Sequence, residues 1–162
     1  MSPWSDFART DFAANDAMRT GRGDHLVERD ELIKSRPFNL GAFAEASTAA
    51  SAWSAAADLY VRVPEYAIAG WFLHGRVWVK VAAGSDGRIR LQNVTDANDG
   101  TAQTGISGTS YAWSDDLSVQ VDAGEHSLVN VKVQIWGDGA NLMYAHNILT
   151  DGFYGNFYWS AT

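Results

Sequence analysis

The sequence predicts a mostly β fold: an antiparallel β-sandwich or jelly-roll-like domain over residues 57–162, behind an N-terminal arm of residues 1–56. Two observations predict it. Apolar and polar side chains alternate with period two through five separate runs, as in strands buried on one face. Gly-, Asp- and Asn-rich clusters separate those runs at short intervals, with no helical periodicity between them. The chain has no cysteine, so its stability must come from packing rather than disulfides or thiolate metal sites. At 162 residues, with 46% hydrophobic and 19% charged residues, it has the material for one core.

In order along the chain, Leu59, Val61 and Val63 alternate with Tyr60 and Arg62, and Val77, Val79 and Val81 with Arg76, Trp78 and Lys80. Ile89 and Leu91 alternate with Arg88, Arg90 and Gln92, and Leu117, Val119 and Val121 with Ser118 and Gln120. Val129, Val131, Val133 and Ile135 repeat the pattern against Asn130, Lys132 and Gln134. The apolar parity of each run marks its core face. About eight strands are expected, with Val61, Val79, Leu91, Val119, Val131 and Val133 in the core. Gly84-Ser85-Asp86-Gly87, Asp122-Ala123-Gly124-Glu125, Gly137-Asp138-Gly139 and Asp151-Gly152 read as the turns of a meander, with positive-φ residues at their tips.

The arm reads differently. Asp24 is placed to cap a short helix running to about Arg36, with Leu26, Val27, Leu32 and Ile33 on one face and Pro37 as its stop. Residues 41–57 are rich in Ala and Ser and fit a helix or an extended connector. Trp4, Phe7, Phe12, Phe38 and Phe43 are spaced too widely to make a core among themselves, so they are expected to anchor the arm on another surface.

Charge excludes one class of partner. The net charge is −7, and from Ile89 onward only Arg90 and Lys132 are basic, so the C-terminal half would repel a phosphate backbone. Nucleic acid is not expected. The N-terminus lacks the basic and apolar regions of a secretory signal, and no run of about 18 apolar residues occurs, so no membrane partner is expected and the chain is read as soluble.

Chemistry-bearing motifs are scarce. His25, His74, His126 and His146 fall on different elements without metal-ligand spacing, and no nucleophile elbow, P-loop or dinucleotide turn occurs. Asp115, Asp116 and Asp138 offer carboxylates, but beside turn-forming residues, where Asp is favoured for backbone reasons. Asp96-Ala97-Asn98-Asp99-Gly100 lacks the alternation of an EF-hand, with Gly fifth and Ser107 at the twelfth position. Arg22-Gly23-Asp24 is the integrin tripeptide, but Asp24 is better read as the helix cap. No catalytic residue, metal or cofactor is expected. The remaining signal is aromatic: Trp78 and Trp136 fall on the polar parity of their strands, and Trp113 follows a Gly/Thr/Ser-rich stretch. These three are the candidate ligand-facing rings, for a sugar or a protein neighbour.

The arm Trp4-Ser5-Asp6-Phe7-Ala8-Arg9-Thr10-Asp11-Phe12, the Ala/Ser stretch to Trp53 and the cysteine-free strands ending in Gly155-Asn156-Phe157-Tyr158-Trp159 together resemble small structural proteins of tailed bacteriophages. The likeness is one of layout over the full chain. It implies a non-enzymatic virion protein (capsid decoration, neck, tail or fibre-anchoring) that is assembled in the host cytoplasm. Its partners would be other virion proteins and copies of itself, with a host-surface glycan as a further ligand. The alternative is a carbohydrate-binding or receptor-recognition module.

Overall fold

Period-two alternation organises what is seen in the computed structural model, which describes residues 43–65, 67, 69–83, 86–147 and 157–161. All regular structure among the described residues is antiparallel β, in twelve strands and with no helix. Strand β1 is Phe43–Thr48, β2 Ser54–Arg62, β3 Trp71–Gly75, β4 Trp78–Val81, β5 Gly87–Asn93 and β6 Asn98–Asp99. Strand β7 is Gln103–Ile106, β8 Ala112–Trp113, β9 Leu117–Val121, β10 Leu128–Trp136, β11 Met143–Asn147 and β12 Phe157–Ser160. The helix expected near 24–36, the Arg22-Gly23-Asp24 tripeptide and the anchors Trp4, Phe7, Phe12 and Phe38 lie outside the described residues.

The strands form three sheets, ordered β1-β11-β4-β8, β2-β10-β5-β6 with β7 also on β5, and β12-β3-β9. Their inner faces share one core. Val61, Val79, Leu91, Val119, Val131 and Val133 are all buried in it, with Leu73, Val81, Ile89, Leu117, Met143, Phe157 and Trp159. Each such side chain contributes ~1.5–3 kcal/mol of transfer free energy, so a strand whose parity slipped by one residue would lose its whole share.

The expected meander is not what forms. Outside β5–β7, which share a sheet, consecutive strands pass from sheet to sheet, as from β3 to β4 to β5, and the principal ladders join segments distant in sequence. Alternation says which side chains face the core but not which strand lies alongside, because burial is non-directional. Strands begin at Phe43, ahead of residue 57, in the compact unit Arg36–Thr162, and Phe43 packs against that unit's own core. Turn chemistry holds at Gly139, whose φ is +91°, whereas the left-handed residue after Asp122 is His126 (φ 63°) rather than Gly124.

Candidate functional site

The outward parity of the four-stranded sheet gathers rings. On β4, Val79 and Val81 point into the core, so Trp78 and Lys80 point out. On β11, Met143 and Ala145 point in, so Tyr144 and His146 point out. Register then places Trp113 opposite Trp78, and Trp78 opposite His146, in one row across β8, β4 and β11. The ring centroids of Trp78 and Trp113 are 4.8 Å apart, and the Trp78 and His146 rings are parallel to within 4° at 6.2 Å. All three are half-buried.

A polar rim completes the row. Tyr111 meets His146 edge-on at 4.2 Å and donates its hydroxyl to the Glu45 carboxylate on β1. Lys80 Nζ lies 4.3 Å from the Tyr111 ring centre, 4.8 Å from that of Tyr144 and 4.0 Å from Glu45 Oε2. Burial pushes the Tyr111 hydroxyl well above its ordinary range and the Glu45 carboxylate pushes it further, so it stays a donor. Burial likewise holds His146 below its ordinary value; Lys80 adds to this and Glu45 opposes it. The result is a row of aromatic rings, with Trp113 tilted 41° from Trp78 and Tyr111 edge-on to His146, and an ammonium and a carboxylate at its margin.

Trp136 is not part of it. That ring lies on the five-stranded sheet opposite Arg88, whose guanidinium carbon sits 4.0 Å from the ring centre, while Arg90 lies 4.5 Å from the centre of Trp53. Both arginines are also held by polar partners, Arg88 by Asp86 at 2.6 Å and Arg90 by Asp99 at 2.8 Å and Gln134 at 2.8 Å. Of the three tryptophans singled out in the sequence, the fold thus unites two and turns the third toward a guanidinium. Tyr144, Lys80 and Glu45 were not singled out, and His146 was read only as an ordinary histidine. The alternation of Met143, Ala145 and Asn147 with Tyr144 and His146 was the signal available for two of them.

No family model matches the chain, and no curated protein matches it either.

On the outer face of the three-stranded sheet, His74 Nδ1 lies 3.1 Å from Asp116 Oδ2 and its Nε2 2.9 Å from Ser160 Oγ. Nucleophile, base and orienting acid thus stand in the order of an acyl-transfer triad. Tyr158 donates to the same carboxylate oxygen at 2.5 Å and stacks on the His74 ring at 4.7 Å, so these side chains link β12 and β3 to the residue preceding β9. A polar hollow of about 130 Å³ shares Phe72 and Ser118 with this corner. Elsewhere the carboxylates serve the backbone. Asp138 accepts from Ala140 and Asn141, which holds it down at about 2. Asp96 Oδ2 accepts from the Asn93 amide and from the backbone N–H groups of Asp122 and Ala123.

Proposed function

We propose that this chain is a non-enzymatic recognition protein of a phage virion, in which a β-sandwich with jelly-roll-like connections displays the Trp113–Trp78–His146 row to a carbohydrate. The single observation behind the recognition half is that row, aligned by register on one sheet and bordered by Lys80 and Glu45. Sugars present apolar C–H faces ringed by hydroxyls, and a ring strip with a donor and an acceptor at its edge complements both features. The sandwich reading is supported by one core shared among sheets between which most consecutive strands alternate. The virion half is supported by the dispersed aromatic anchors of the arm, Trp4, Phe7, Phe12 and Phe38.

A glycan array probed with the full chain, followed by titration of tryptophan fluorescence with the best hit, tests the recognition half. Binding and quenching are expected, lost in Trp78→Ala and retained in Trp136→Ala, with circular dichroism unchanged in both. Absence of binding across the array, or equal loss in both variants, would overturn it. Removing residues 1–35 tests the virion half separately: the truncated chain should keep its glycan binding and lose its attachment to particles.

A further inference from the structure

We propose that the outer edge of β2 is a self-complementary interface that pairs with the same strand of a second copy, joining two five-stranded sheets about a two-fold axis at Tyr60. Among the described residues, β2 has β10 as its one ladder partner and ends its sheet. The direction of its remaining hydrogen-bonding groups follows from the bonds it makes. Val63 N–H donates to the Ser127 carbonyl at 2.9 Å and His126 N–H to the Val63 carbonyl at 2.8 Å, so the peptide groups of Val63 face the β10 side. With period two, those of Val61 and Leu59 do the same, and those of Asp58, Tyr60 and Arg62 face away. The far side of the ladder agrees. Asn130, the cross-strand partner of Tyr60, accepts from Val94 N–H and donates its own N–H to Thr95 Oγ1, away from β2.

The side chains on this edge match their own two-fold image. In an antiparallel pair centred on Tyr60, Asp58 of one copy lies opposite Arg62 of the other, and Arg62 opposite Asp58. Both are exposed, and Asp58 has Lys132 3.6 Å away on its inner side, leaving its outer side for a second cation. Charges on an edge strand ordinarily block pairing. Here opposite signs sit at equal distances from the axis, so the same two-fold that would bring like charges together brings unlike ones. Tyr60 and Leu128, 65% and 60% exposed, are the two most exposed large apolar side chains among the described residues and lie diagonally on this face. The axis would bring the two Tyr60 rings side by side.

Light scattering after size-exclusion chromatography of the full chain reads the outcome directly. A mass of twice 17.6 kDa is expected. Asp58→Arg and Arg62→Asp should each weaken association by about tenfold or more, and the double swap should restore it. Tyr60→Pro removes an N–H that points outward and is unused in the ladder to β10, so it should abolish the dimer while circular dichroism stays β. A monomer at about 1 mM chain, a dimer indifferent to the single reversals, or a double swap no better than either single would overturn the proposal.

Discussion

Gly75→Ala is the change for which packing and propensity predict opposite signs. Gly75 on β3 is the register partner of Phe157 on β12, and the Phe157 ring is fully buried. A Cβ at position 75 would lie 2.3 Å from both Cδ1 and Cε1 of that ring. Ordinary carbon contacts are ~3.5–4.0 Å, so the ring must retreat by about 1 Å or more into a close-packed core. Overpacking of this kind costs about 1–3 kcal/mol. Against it stands the gain of about 0.5–1 kcal/mol from replacing a strand glycine by alanine. A net loss centred on ~1 kcal/mol and reaching at most about 2.5 kcal/mol is therefore expected from urea unfolding followed by tryptophan fluorescence. Phe157→Leu withdraws the ring, so in the double variant the Gly75→Ala cost should shrink, with a coupling near 1 kcal/mol or above. If Gly75→Ala is neutral or stabilising, or the coupling falls below about 0.5 kcal/mol, then Phe157 does not pack over Gly75 and the β12–β3 register described above is wrong.

Two other outcomes follow from the same geometry. His146 binds its proton less readily in the folded chain than at its unfolded value near 6.5, because burial disfavours the imidazolium. Its contribution is complete above about pH 6.5 and is lost as the pH falls toward its lower folded value, where the unfolded chain takes up the proton first. His146→Gln should therefore narrow the gap between urea midpoints at about pH 7.5 and about pH 5.5, and an unchanged gap would discount burial at this ring. Ser160→Ala deletes the hydroxyl bonded to His74 Nε2 and should cost ~0.5–1.5 kcal/mol, while a fluorophosphonate probe leaves Ser160 of the parent chain unmodified. Labelling at Ser160 would mean a working nucleophile and contradict the reading of that corner as a cross-strand tie.

What the sequence determined by itself was the face on which each side chain falls. Leu59, Val79, Leu91, Val119 and Val133 are buried where alternation puts them, and Trp78 and Trp136 point outward as their parity requires, because strand geometry alone sends successive side chains to opposite faces. Neighbourhood was decided elsewhere. Trp78 and Trp136 carry the same local signal, yet one lies between Trp113 and His146 and the other against Arg88, since β4 pairs with β8 and β11 while β10 pairs with β2 and β5. Ser160, His74 and Asp116, far apart in the chain, meet for the same reason: β12 and β9 flank β3. Alternation is a property of one strand, whereas pairing is settled by how all the strands together close a single core, a constraint that no local stretch of sequence contains.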